Sequence, residues 1–114
     1  MNSKNISFDF TDGVVTAYVC DDIDHHRARG LREAMDERIY TDRPARFVLD
    51  MSGGTFMDSS GLGLILGRFT LCRELGLEFV LSDPSEEVEK ILSLAGTGRL
   101  IQIVKSKHYN KNSK

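Results

Sequence analysis

The first part of the chain alternates between apolar and polar side chains. Ile6, Phe8 and Phe10 are separated by polar residues, which is the spacing of a strand with one buried face. Asp12-Gly13 is suited to a tight turn, because glycine tolerates a positive φ there. A second apolar run follows at 14–19. The chain is therefore predicted to open with a β-hairpin.

Three later segments carry apolar residues three or four positions apart, the spacing of one helix face. The first helix is predicted to begin after Asp24, and the second covers about 59–75 and ends at Gly76. In the third, Asp83 is predicted to cap the helix, with Pro84 at its first position and Glu86 completing a capping box. The predicted inner faces are Ala28, Leu31, Met35 and Ile39; Leu62, Ile65, Leu66 and Phe69; and Val88, Ile91, Leu92 and Ala95.

Short apolar runs at 47–51, 77–82 and 100–104 read as strands between these helices. The predicted order is β-β-α-β-α-β-α-β. Alternating strands and helices imply crossover connections, hence an α/β fold with a mostly parallel open sheet and one antiparallel hairpin strand. We expect one domain over 1–106, followed by a polar, basic tail over 107–114.

Composition narrows the class of protein. The 114 residues are 28% charged and 40% hydrophobic, which is typical of one ordinary soluble domain. No apolar run approaches the ~20 residues of a membrane span, and the N-terminus does not resemble a signal peptide. Acidic residues slightly outnumber basic ones, 17 to 15, which argues against a nucleic-acid partner. Cys20 and Cys72 form neither a disulfide framework nor a metal pair. This is typical of proteins in a reducing compartment, so a cytoplasmic location is expected.

The most informative stretch is Phe56-Met57-Asp58-Ser59-Ser60-Gly61-Leu62-Gly63, which follows a strand and a Gly-rich loop, 52–54. Asp58 and Ser59 are residues that cap a helix, and as caps alone they would each contribute ~1 kcal/mol. Two serines and an aspartate are more than one cap needs. The glycines allow either close packing of the helix or a bare face for a partner, and both interpretations stay open. Leu64 and Leu71 are expected to lie away from the buried stripe.

Other chemical sites are not supported. The glycine spacing matches neither a phosphate-binding loop nor a Rossmann turn, and a hydrolase nucleophile elbow is absent. His25 and His26 follow Asp22 and Asp24, but adjacent helical residues point about 100° apart and do not readily share a metal. We predict no metal site and no cofactor.

The stretch from Phe56 to Gly63 closely resembles the phosphorylation motif of bacterial anti-sigma factor antagonists, which belong to the STAS domain family. Asp22-Ile23-Asp24-His25-His26 is similar to that family's segment after its second strand. The resemblance spans about 5–104 and is closer to the sporulation members than to the general-stress members. The chain departs from the family at Asp21-Asp22, where Gly-Glu is usual, and in lacking an evident C-terminal helix.

The resemblance implies a STAS fold and a transcription regulator that is not an enzyme. By it, Ser59 is the phosphoacceptor, with Ser60 as the second choice. The unphosphorylated form would bind an anti-sigma factor serine kinase and so free the sigma factor. Phosphorylation would end that binding, and a serine phosphatase would restore it. Neither a nucleic acid nor a membrane is expected as a partner. The residues expected to meet the kinase are Asp22, Asp24, His25, Met57, Asp58, Ser59, Ser60, Gly61, Leu62 and Gly63.

Two alternatives stay open. The first is a STAS module of another complex, such as a stress-signalling assembly or a lipid transporter. The second is a nucleotide-binding protein or an enzyme that uses the region of Asp22, Asp24 and Ser59. Catalysis is disfavoured, because the sequence contains no base in a recognised nucleophile arrangement.

Overall fold

The computed structural model describes residues 6–53 and 56–106. Within them the predicted β-β-α-β-α-β-α-β order is confirmed. The strands are β1 (Ile6–Thr11), β2 (Val14–Val19), β3 (Arg46–Asp50), β4 (Glu78–Ser82) and β5 (Gln102–Val104). The helices are α1 (His25–Asp42), α2 (Ser59–Leu75) and α3 (Glu86–Leu94). The prediction about the tail at 107–114 and its missing helix lies outside the described residues.

The sheet has the order β1-β2-β3-β4-β5. β1 pairs antiparallel with β2, and each later neighbour pairs in parallel. Asp12 and Gly13 both have positive φ, 53° and 80°, as a tight hairpin turn between twisted strands requires. The predicted mostly parallel sheet with one antiparallel hairpin strand is therefore confirmed.

Helices α1 and α2 pack on the same face of the sheet. Arg38 of α1 stacks over the Phe8 ring of β1, 4.7 Å from its centroid. Phe69 of α2 meets Phe79 of β4 edge to face at 6.3 Å, and Phe79 stacks on Phe47 of β3 at 6.2 Å. Because Phe8 and Phe79 lie on the same side of the pleated sheet by the strand register, one apolar layer is shared by both helices.

The buried face of α2 differs from the prediction. Ile65 is buried as expected, but Leu62, Leu66 and Phe69 are only half-buried, and Leu64, expected outside the stripe, is buried. The reason is that α2 contacts α1 as well as the sheet, so its buried arc is wider and rotated toward α1. The residues buried on α2 are Gly61, Leu64, Ile65, Arg68 and Cys72.

Arg68 is the unexpected member of that face. It is only 7% exposed, and its Nε lies 2.8 Å from Asp36 Oδ1 on α1. The Nε–H is not directed at that oxygen, and neither Nε nor Nη1 has a hydrogen-bond partner among the described residues. Burial lowers the pKa of Arg68, and the Asp36 carboxylate opposes that shift. Burial also raises the pKa of the neighbouring Cys72 thiol to about 11, which keeps it neutral.

The start of α3 corrects the prediction. Ser85 caps the helix, its hydroxyl accepting from the Val88 N–H at 3.2 Å, and Glu86 is the first helical residue. Asp83 has a positive φ of 54°, and its carboxylate accepts from the Ser82 and Ser106 hydroxyls. The Asp83 side chain therefore links the ends of β4 and β5 instead of capping α3. The residues around Asp83 in the sequence do not reveal this contact.

The observed bounds of three strands differ slightly from the predicted ones. β3 begins and ends one residue earlier than predicted, and β4 begins at Glu78 rather than Leu77. β5 is shorter than predicted because Leu100 belongs to a turn, in which its N–H donates to the Thr97 carbonyl at 3.0 Å. The predicted C-cap Gly76 is confirmed, with a φ of 78°.

The Arg68–Asp36 pair predicts an asymmetric response to mutation. Asp36→Asn leaves the buried guanidinium without its counter-charge and should lower the free energy of unfolding by about 2 kcal/mol. Arg68→Met combined with Asp36→Leu removes both charges while filling a similar space, and should change it by less than about 1 kcal/mol. Urea unfolding measures both. An Asp36→Asn protein as stable as the wild type would show that the pair is not electrostatically coupled.

Candidate functional site

The two sequence segments singled out above meet through a small β-bridge. Ile23, just before α1, and Met57, just before α2, pair in parallel. The Ile23 N–H donates to the Phe56 carbonyl at 2.8 Å, and the Asp58 N–H donates to the Ile23 carbonyl at 3.3 Å. Both bridging side chains are fully buried. The structure therefore places the starts of α1 and α2 side by side at one edge of the molecule.

Each helix start is capped by the predicted aspartate. Asp58 Oδ1 accepts from the Ser60 N–H at 2.8 Å, and Asp24 Oδ1 accepts from the Arg27 N–H at 2.9 Å. The hydrogen bond from Arg27 is the main cause that lowers the pKa of Asp24. Both aspartates are thus acceptors for N–H groups that the helix leaves unsatisfied.

The Asp21-Asp22 pair has a defined role in the structure. Asp22 Oδ1 accepts from the Phe56 N–H at 3.0 Å, a contact that spans 34 positions in sequence. Asp21 Oδ1 accepts from the Asp22 N–H at 3.1 Å, and its other oxygen lies 3.5 Å from Arg27 Nη2. Arg27 Nη1 also donates to the Asp22 carbonyl. These contacts hold the edge in one shape and offset part of its negative charge.

The two candidate phosphoacceptors differ in their surroundings. Ser59 is the first residue of α2 and is exposed. Ser60 is half-buried and lines a groove between α1 and α2. A hydroxyl at the first position of a helix, on the exposed side, is the easier of the two for another protein to reach. This geometry favours Ser59 over Ser60.

The glycines of this stretch serve two different purposes. Gly61 is buried, and a Cβ added there would lie 2.4 Å from the Met57 Cβ, too close for any side chain. A Cβ added at Gly63 or Gly67 meets nothing within 4 Å. Close packing therefore explains Gly61, whereas Gly63 leaves the surface beside the serines bare.

The residues predicted to meet a partner fall into three groups by burial. Six are exposed, Asp22, Asp24, His25, Asp58, Ser59 and Gly63. Ser60 and Leu62 are half-buried, and Met57 and Gly61 are buried. Their role in an interface stays a prediction, and the two buried residues could shape that interface only through packing.

Sequence reasoning missed one residue here. Phe56 is 53% exposed, although it stands beside the buried Met57. The signal was available, because neighbouring residues of an extended segment point to opposite sides. A large exposed ring three residues before Ser59 is the kind of side chain that anchors protein interfaces.

Two kinds of feature are absent from the part of the chain that the structure describes. No three of its His, Cys, Asp and Glu side chains are grouped so that they could hold a metal ion. None of its helices combines the length and apolar character that crossing a membrane requires.

Comparison with known proteins identifies the family and agrees with the fold. The family model of the STAS domain matches residues 5–110. A curated relative from Paenibacillus polymyxa, the anti-sigma F factor antagonist, is 35% identical over 91 residues, which cover 80% of this chain and 78% of that protein.

Two solved structures share the fold. The anti-sigma factor antagonist SpoIIAA in its unphosphorylated form has a TM-score of 0.74 at 23% identity, covering 95% of each chain. The phosphorylated form of the Bacillus cell fate determinant SpoIIAA has a TM-score of 0.70 at 22% identity, covering 96% of this chain and 99% of that one.

The contrast between the glycines predicts opposite effects of the same substitution. Gly61→Ala forces a methyl group into Met57 and should destabilise the protein by about 1–3 kcal/mol. Gly63→Ala meets open space and should stabilise it by about 0.5–1 kcal/mol, because alanine is the better helix former. Thermal and urea unfolding of the two variants, side by side, test this. Equal effects would mean that Gly61 is not tightly packed.

Proposed function

The chain belongs to the STAS domain family, and from that premise we propose that it is an anti-sigma factor antagonist switched by phosphorylation of Ser59. In this proposal the unphosphorylated form binds an anti-sigma factor that is also a serine kinase, and binding frees the sigma factor. The observation that carries it is the exposed Ser59 at the start of α2. The name of the Paenibacillus polymyxa relative supports the same activity.

The binding surface would be the edge where α1 and α2 begin. Asp22, Asp24 and Asp58 are exposed on the same edge as Ser59. Carboxylates on a rim complement a basic partner surface and steer its approach. Phe56 adds an apolar contact among these charges. The Ile23–Met57 bridge makes this surface rigid before binding, which lowers the entropy cost of association.

Phosphorylation would act on the interface rather than on the fold. A phosphate adds ~-1.5 to -2 charges, and a helix N-terminus tolerates an anion because its N–H groups and dipole face it. In a complex, the same phosphate would be desolvated beside the Asp58 carboxylate. That should cost several kcal/mol, or roughly a ten- to thousand-fold loss of affinity.

A serine phosphatase that removes the phosphate would complete the cycle. The chain itself would act as substrate and binding module, without catalytic residues of its own. One structural neighbour, SpoIIAA, is known in an unphosphorylated and a phosphorylated form, which supports the proposed modification. The proposed place of action is the cytoplasm, where sigma factors work.

The first experiment is incubation of the protein with ATP and the serine-kinase anti-sigma factor of its own source, followed by intact and peptide mass spectrometry. We expect one added phosphate, mapped to Ser59, and loss of the complex on gel filtration. Ser59→Ala should bind the kinase and take no phosphate, and Ser60→Ala should behave as wild type. Phosphate on Ser60 would move the site, and absence of both complex and phosphate would refute the function.

A second test concerns Asp22 as a positioning residue. Asp22→Ala removes the acceptor for the Phe56 N–H and should weaken kinase binding by roughly fivefold, the ~1 kcal/mol of one hydrogen bond. Asp22→Asn keeps an acceptor oxygen at the same place and should retain most of the affinity. Titration calorimetry gives the affinities, and amide exchange at Phe56 reports the hydrogen bond. If Asn and Ala weaken binding equally while exchange stays slow, Asp22 acts by charge alone.

A further inference from the structure

A groove between α1 and α2 opens beside the candidate phosphorylation site. Its α1 wall is formed by His25, Arg29 and Arg32, and its α2 wall by Ser60, Gly63 and Leu64. We call it the α1–α2 groove. The groove adjoins the edge at which α1 and α2 begin, because His25 and Ser60 belong to the first turns of these helices.

The groove is basic, although the chain as a whole has a net charge of -2. Two arginines and a histidine line it, and no Asp or Glu is among its described lining residues. Arg29 has one weak ion pair, 3.7 Å from Glu33, in which the two side chains are 81% and 67% exposed. Exposed pairs of this kind stabilise little and leave the cation available to another anion.

Arg32 adds to a local excess of positive charge. Burial lowers the pKa of Arg68, and the charge of Arg32 lowers it further. Asp36 is the carboxylate that faces Arg68. An anion in the groove would meet two exposed arginines, Arg29 and Arg32.

The shape of the groove leaves room for a polypeptide. Gly63 presents no side chain, and the space above it is empty for at least 4 Å from an added Cβ. Ala28 and Leu64 supply a small apolar surface beside the basic residues of the α1 wall. Apolar contact in the middle with charges at the rim is the usual composition of a protein interface.

We propose that the α1–α2 groove receives an acidic segment of the protein that binds at Ser59. This inference rests on the proposed function and adds a second contact to it. The acidic edge around Asp22 and Asp58 would face basic groups of the partner, while the basic groove would face acidic ones. Two neighbouring patches of opposite sign allow only one orientation of the partner, which is how charge gives specificity.

Charge reversal with a matched control tests the inference. The variant is Arg29→Glu with Arg32→Glu, and the control is Lys90→Glu with Arg99→Glu, two cations exposed away from the groove. Both double variants change the net charge equally. We expect the groove variant to weaken binding of the serine-kinase anti-sigma factor by roughly thirtyfold or more, and the control by less than about threefold. Titration calorimetry is run on unphosphorylated protein, with thermal unfolding to verify the fold.

The outcomes separate this inference from the proposed function. If wild-type protein binds the kinase and the groove variant binds as tightly, or if both double variants lose affinity equally, the groove assignment is overturned and the function stands. If the wild type itself does not bind, the proposed function fails and the groove assignment fails with it.

A second measurement does not depend on the fold of the charge-reversed protein. A photo-reactive amino acid at Gly63, where the groove has space, should cross-link to the bound kinase. Peptide mass spectrometry should then identify a segment rich in Asp and Glu. Cross-linking to a segment without acidic residues, or to none while the complex forms, would contradict the inference.

Discussion

The structure of the candidate site depends on two backbone hydrogen bonds between Ile23 and the segment 56–58. They join a stretch that follows β2 to one that follows β3, so the starts of α1 and α2 cannot move independently. Burial of the Ile23 and Met57 side chains keeps water away from this bridge. Gly61 permits it, because any Cβ there would displace Met57. The bridge thus converts two separate loops into one rigid surface around Ser59.

Both exposed and buried charges lie near the surface at which α1 and α2 begin. Outside, the aspartates at the helix starts lie next to the arginines of the α1–α2 groove. Inside, Arg68 and Asp36 bring a buried ion pair into the contact between the same two helices. Such a pair adds little net stability, since desolvation opposes the Coulomb attraction, but leaving one partner alone is costly. It therefore favours one alignment of α1 against α2, and with it one geometry of the groove.

This architecture explains why a phosphate would act locally. The Asp58 side chain accepts from one N–H of the helix start, that of Ser60, and the Ile23–Met57 bridge does not involve the Ser59 side chain. A new charge there changes what a partner meets without disturbing the packing underneath. A rigid domain with a chargeable surface residue needs no conformational change of its own to lose its partner, only a difference in interface free energy.

The sequence by itself determined the order of elements, the hairpin, the aspartate caps of α1 and α2 and the exposed Ser59. Each depends on interactions within a few residues, which periodicity and capping chemistry express directly. Tertiary structure decided the burial of Arg68, the contact between Asp22 and Phe56, the different uses of Gly61 and Gly63, and the cap of α3, where distant strand ends recruit Asp83. These depend on residues far apart in the chain, and local patterns carry no information about which of them meet.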